Sequence, residues 1–205
     1  MSRLYLIAAT LNALVLTFVL IAALIVQFML GELPCPLCTM QRIAMMLCVL
    51  SPLFLLAQNR RAAITHRDLA IAGGMSIFAA LLGVGVSGRQ VLLHILPDDP
   101  GYGGTVFGMH LYTICLLVFI CHALAAAAML IGATMTGSPA QLQRSPRSRQ
   151  LQQLQQLQQL HWPVTKGIFF AFGLVVLINL LAVIAQAGWH WMLPPDPVSY
   201  LLLSK

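Results

Sequence analysis

The sequence predicts an all-α integral membrane protein, a bundle of five transmembrane helices. Of its 205 residues, 60% are hydrophobic and only 8% are charged, with a mean hydropathy of +0.88. That balance lies far from the composition of a globular domain. Apolar stretches of about 18 residues or more recur along the chain, each the length of a membrane span. Lipid offers backbone N–H and C=O groups no partner, so each span must satisfy its own, and a helix does so.

The five spans run Leu4–Leu30, Cys38–Ala57, Leu69–Leu93, Met109–Thr134 and Val164–Gly188. Each is long enough to cross roughly 30 Å of hydrocarbon at ~1.5 Å per residue. The first exceeds the apolar region of a signal peptide and ends without a small-x-small cleavage site, so it reads as a retained signal-anchor helix. Gly83, Gly85 and Gly88 in the third span predict close helix contact. Arg89 is costly in lipid and is expected to snorkel outward or face the bundle.

Charge sets the expected orientation. Arg3, Arg60, Arg61, Arg67, Arg144, Arg147, Arg149 and Lys166 fall on one side, eight of the eleven basic residues, so that side is expected to be cytoplasmic. Glu32, Asp98, Asp99 and Asp196, four of the five acids, fall on the other. The net charge of +6 therefore reports topology and not nucleic-acid binding. The N-terminus is placed in the cytoplasm and the C-terminus outside.

The chain divides into a four-helix unit at 1–134, a linker at 135–163, and a fifth span with an outer tail at 164–205. The linker ends in a run from Leu151 to Leu160 with leucine at every third position. That period drifts around a helix and predicts a surface-lying helix or disorder. Between the third and fourth spans, residues 94–108 form an outer loop with turn chemistry at Asp99-Pro100-Gly101 and Gly103-Gly104. Trp189, Trp191 and Tyr200 read as interfacial anchors, and Pro194-Pro195-Asp196-Pro197 prevents further helix.

The chemistry concentrates at Cys35-Pro36-Leu37-Cys38. Pro36 suits the first position of a helix, which makes Cys35 a cap and places Cys38 in the first turn. Free amides and the positive helix end there favour a thiolate. Arg42 follows one turn below Cys38 on the same face, able to stabilise a thiolate or a reduced anionic cofactor. The expected side is oxidising, where disulfides persist. Cys48, Cys115 and Cys121 fall within spans and read as small hydrophobes. A zinc site needs four soft ligands, and no second CxxC or His pair has the spacing. His94, Met109 and His110, with Met75, could suit copper or haem; the plainer reading makes the histidines interfacial polar residues and the methionines gap-fillers.

Cys-Pro-Leu-Cys-Thr-Met-Gln-Arg at the start of the second span resembles the signature of the bacterial disulfide-bond formation protein B family, DsbB. Arg89-Gln90 and Leu96-Pro97 add a looser likeness, and the resemblance runs through the first four spans. It implies a DsbB-like four-helix core, extended here by a fifth C-terminal helix, in the bacterial inner membrane. By that resemblance Cys35 and Cys38 are the redox pair, with Gln41, Arg42 and His94 toward a bound quinone, ubiquinone or menaquinone. The implied electron donor is a periplasmic thioredoxin-like dithiol protein of the DsbA type.

The sequence departs from the pattern in two places. Family members carry a second cysteine pair in the outer loop between spans three and four; here that loop has none. The fifth span is also additional. One pair would then have to serve both donor and quinone, with Cys35, the more exposed by position, forming the mixed disulfide and Cys38 facing the quinone. The alternative is a non-enzymatic membrane subunit, or a copper- or haem-handling protein, on the same scaffold.

Overall fold

The computed structural model describes residues 2–96, 99, 101–106, 108–135, 147–190, 197 and 199–202. Five helices dominate: α1 (Ser2–Met29), α2 (Pro36–Arg61), α3 (His66–Leu93), α4 (Leu111–Met135) and α5 (Arg147–Ala187). Each contains a stretch long and apolar enough to cross a membrane, so the all-α membrane bundle read from the sequence is the observed architecture.

The helix starts follow local chemistry. In α2, Cys35 is the N-cap and Pro36 holds the first helical position. The helix therefore begins two residues earlier than the apolar run suggested, and it continues through Pro52 to Arg60 and Arg61. In α3, Thr65 and Asp68 form a reciprocal capping box: the Thr65 N–H donates to Asp68 Oδ2 (2.9 Å), and the Asp68 N–H donates to Thr65 Oγ1 (3.2 Å). α4 starts at Leu111 because Met109–His110 form strand β2, paired antiparallel with β1 (Thr105–Val106). This two-residue hairpin is too short to give a readable alternation in the sequence. The run Leu151–Leu160 is helical and continuous with the fifth span, Pro163 lying inside α5.

The chain packs in sequence order: α1 on α2, α2 on α3, α3 on α4. α5 then lies against α1 and α2. The most enclosed helix is thus α2, which carries the CxxC segment. Its Ala44, Met45, Cys48, Val49 and Leu53 join Ala13, Leu16 and Leu20 of α1, Ala72 and Ala80 of α3 and Phe172 of α5 in the core. Cys48 is a core residue and Cys115 packs against the core, as the hydrophobe reading required, whereas Cys121 lies on the exposed outer face. Polar groups stitch helices where lipid gives no driving force between apolar faces: Ser51 Oγ donates to the Ala72 carbonyl (2.7 Å), and Asn12 Nδ2 meets His122 Nδ1 at 3.3 Å.

Of the three glycines expected at helix contacts, only Gly83 is one. A Cβ there would collide with the ring of Phe119, itself fully buried, while at Gly85 and Gly88 it would meet open space. Gly83→Ala is therefore expected to destabilise the α3–α4 packing by about 1–3 kcal/mol. Gly85→Ala and Gly88→Ala should be neutral or stabilising by up to about 1 kcal/mol, through helix propensity alone. Thermal unfolding in detergent would separate them; equal midpoints for all three variants would remove the close-contact role of Gly83.

Candidate functional site

The site is assembled at the end of the bundle where α1 and α3 finish and α2 begins. Cys35 has extended backbone geometry (φ −66°, ψ 166°), and its Sγ accepts the Cys38 N–H at 3.1 Å, as a helix N-cap does. The two thiols are free. Gln90, the last buried residue of α3, reaches both: its Nε2 lies 3.4 Å from Cys35 Sγ and 3.5 Å from Cys38 Sγ. Gln41 Nε2 donates to Gln90 Oε1 at 2.9 Å and holds that amide in place. Gln41 thus acts through Gln90.

Covering groups decide which sulfur is reachable. The Tyr102 hydroxyl donates to the Leu33 carbonyl (2.7 Å), Gln186 Nε2 of α5 donates to the Pro34 carbonyl (2.7 Å), and the Gly104 N–H donates to Glu32 (3.3 Å). Leu33, Pro34 and Cys35 are buried beneath them, Cys35 at 6% exposure, while Cys38 is half-buried. This reverses the sequence expectation that Cys35 is the more exposed thiol, because its cover comes from residues distant in the chain. Its side-chain hydrogen bond to the Cys38 sulfur, then burial and the charge of Cys38, push the Cys35 thiol above its ordinary range, outweighing the opposite effect of the Cys38 N–H. Partial alkylation of the reduced protein near pH 7 should therefore modify Cys38 before Cys35, and Tyr102→Phe should speed Cys35 labelling. Peptide mass spectrometry would show the order, and Cys35 reacting first would contradict this burial pattern.

Arg42 lies one turn beyond Cys38 and is tied to α1, donating from Nη1 to Gln27 Oε1 and from Nη2 to the Ala23 carbonyl (3.0 Å). Gln27 Nε2 in turn donates to the Tyr200 hydroxyl at 3.1 Å. Tyr200 is thus half-buried and bonded inward, where an interfacial anchor was expected; Trp189 is fully outward, and Trp191 lies outside the described residues. Beside Arg42 a pocket of about 200 Å³ opens between α1, α2 and α5, bordered by Gln27, Pro34, Thr39 and Arg42 together with Asn179 and Gln186 of α5.

His94 does not join this lining. It caps α3, pairs with Asp99 at 3.1 Å and stacks on Tyr112, which also stacks on His110. The Gly101 N–H (2.8 Å), then His94, hold the Asp99 carboxyl below its usual range. Of the turn expected at 99–101, Pro100 lies outside the described residues; Gly101 has φ +69°, and a Cβ there would meet the His110 ring at 2.5 Å. Arg89 is exposed and so does not face the bundle interior. Among the described residues no three His, Cys, Asp or Glu side chains converge as a metal site.

Sequence reasoning missed Gln27 and Gln186, and it noted Gln90 only as part of a likeness. Gln27 and Gln186 each stand near the end of an apolar span, and an unexplained polar residue at that depth was the available signal.

A dithiol thus lies against the buried amides of Gln41 and Gln90 at one end of a membrane helical bundle. The chain belongs to the DsbB family: residues 5–105 match the family model described as Disulfide bond formation protein DsbB. That match contains Cys35, Cys38, Gln41, Arg42, Gln90 and His94, and it ends before α4 and α5. The chain is 46% identical over 77 residues to "Disulfide bond formation protein B" of Chromobacterium violaceum, covering 38% of this chain and 44% of that protein. It is 41% identical over 76 residues to the protein of that name from Nitrosomonas eutropha, covering 37% and 44%. With "Disulfide bond formation protein B 1" of Pseudomonas fluorescens Pf-5 the identity is 36% over 76 residues, covering 37% and 42%. The chain thus spans less than half the length of these relatives. No solved structure matches it.

Proposed function

We propose that this protein is a membrane thiol oxidoreductase that takes electrons from a soluble dithiol protein through Cys35 and Cys38 and passes them to a membrane quinone. The observation that carries the reading is the placement of the CxxC pair in the first turn of α2, one turn from Arg42, which borders a pocket next to that turn. In this reading the CxxC end faces the periplasm, in line with the basic residues collected at the other end, and the membrane is the bacterial inner membrane. The donor is a periplasmic thioredoxin-like protein of the DsbA type.

With the pair oxidised, a partner thiolate attacks one sulfur and expels the other. A thiol pushed up in pKa leaves poorly, so the favoured polarity is attack on Cys35 with Cys38 departing. Cys35 is covered, so docking must displace the segment at 101–104 that Tyr102 and Gly104 fasten to Leu33 and Glu32. The second partner thiol then attacks the mixed disulfide; the partner leaves as a disulfide, and Cys35 and Cys38 are left as thiols. Gln90 spans both sulfurs and keeps them together as the pair alternates between dithiol and disulfide.

A quinone fits the pocket beside Arg42, where Thr39 Oγ1 and Gln186 Oε1 are buried polar atoms with no described partner. Arg42, Thr39 and Gln186 would hold it, and it would accept the two electrons and two protons released as the dithiol closes again to a disulfide. The thiol state of Cys35 and Cys38 in membranes tests this reading. Oxidation that requires quinone supports it; a state insensitive to quinone favours the alternative, a non-enzymatic membrane subunit, for which the cysteine-free outer loop is the supporting observation.

A further inference from the structure

Two buried polar atoms at the pocket beside Arg42 have unmet hydrogen-bonding capacity, and one belongs to a helix outside the family match. Gln186 is fully buried, and its Nε2 is committed to the Pro34 carbonyl at 2.7 Å. A carbonyl only accepts, so the amide orientation is fixed and Oε1 is left as a bare acceptor. Thr39, 5% exposed, likewise has a hydroxyl without a described partner. Leaving such groups buried and unpaired costs free energy, which a bound ligand recovers. Asn179, by contrast, spends its Nδ2 on the Val175 carbonyl at 2.8 Å.

The pocket holds about 200 Å³, below the range of ~300–1,000 Å³ that encloses drug-sized ligands. It suits one ring whose tail stays in lipid. Its remaining border is apolar, with Ile43, Met46, Val176 and Val183.

We infer that α5 makes this pocket selective for the reduced form of a single-ring quinone, with Gln186 Oε1 accepting from a quinol hydroxyl and Thr39 Oγ1 bonding the ring's other oxygen. This rests on the quinone reading above and adds to it a specificity residue, Gln186, on the helix beyond residue 105. A quinone carbonyl cannot donate, so it meets Gln186 Oε1 acceptor to acceptor, whereas the quinol donates there. Gln186 thus separates the two redox forms, and Thr39, able to donate or accept, serves both.

The test is equilibrium binding of a short-chain benzoquinone and its quinol to the full chain in lipid nanodiscs. Wild type is expected to bind the quinol more tightly than the quinone. Gln186→Leu should lose about fivefold in quinol affinity, the worth of one net hydrogen bond, with quinone affinity unchanged or raised as the acceptor-to-acceptor contact is removed. Thr39→Val breaks no described contact and should weaken both forms by a similar factor. An azido-quinone should label peptides from 176–186. If wild type binds both forms but neither variant changes affinity, or the label falls on α3 and α4, the role of α5 is overturned while the quinone reading stands. If wild type binds neither form, the quinone reading fails and this inference fails with it.

Discussion

Cys38→Ser is expected to reduce thiol-dependent quinone reduction to the uncatalysed background, and Cys35→Ser to do the same. The two sulfurs act as one unit, since neither can form the internal disulfide alone, so the double variant should be no worse than either single one. Strong non-additivity of this kind marks groups that share one step. The two single variants should nevertheless differ in trapping. Cys38→Ser leaves Cys35 with no neighbour to resolve it, and should accumulate the mixed disulfide formed when the Cys35 thiolate attacks the disulfide of the oxidised partner and expels one of its thiolates. Cys35→Ser should trap far less. Non-reducing electrophoresis with a thioredoxin-like donor would read this directly. Full activity in either single variant would remove the redox pair from the mechanism; equal trapping by both would remove the assigned polarity.

Arg42→Met should raise the KM for quinone by roughly ten- to a hundredfold, the value of a charge-assisted hydrogen bond of about 1.5–3 kcal/mol. The guanidinium donates with two nitrogens to α1, at Gln27 and Ala23, and still borders the pocket. Removing it takes away the positive charge and leaves the buried Gln27 oxygen unpaired. Arg42→Lys keeps the charge but lacks the planar fork, so it should recover part of the loss and not all of it. The split between KM and kcat separates this from a folding defect, which would lower the amount of active protein with KM unchanged. An Arg42→Met enzyme with the wild-type KM would show that the quinone sits elsewhere.

The legible parts of this protein were those in which sequence-local physics decides. Five apolar runs gave five helices, because lipid leaves the backbone no alternative. Pro36 fixed the start of α2 and so the cap position of Cys35. Arg42 could be placed below Cys38 from helix periodicity alone. What was misjudged depended on packing. Cys35 looked exposed because it precedes the helix, yet it is buried, with Gln90 on its sulfur and with Tyr102 and Gln186, 69 and 152 residues away from their partners, bonded to the Leu33 and Pro34 carbonyls just before it. Gly83, Gly85 and Gly88 read alike, and only the rotation of α3 against α4 shows that Phe119 faces the first of them. The resemblance put His94 toward the quinone with Arg42; the structure ties it to Asp99 and Tyr112.

By itself, then, the sequence determined the membrane bundle and a dithiol with an arginine one turn away, since hydropathy, proline and helical period act over a few residues. The tertiary structure alone decided which sulfur is covered, which glutamine spans the pair and which helix completes the pocket beside Arg42. Those outcomes depend on how α3 and α5 seat against α2, and side chains far apart in the chain meet only when that packing is made.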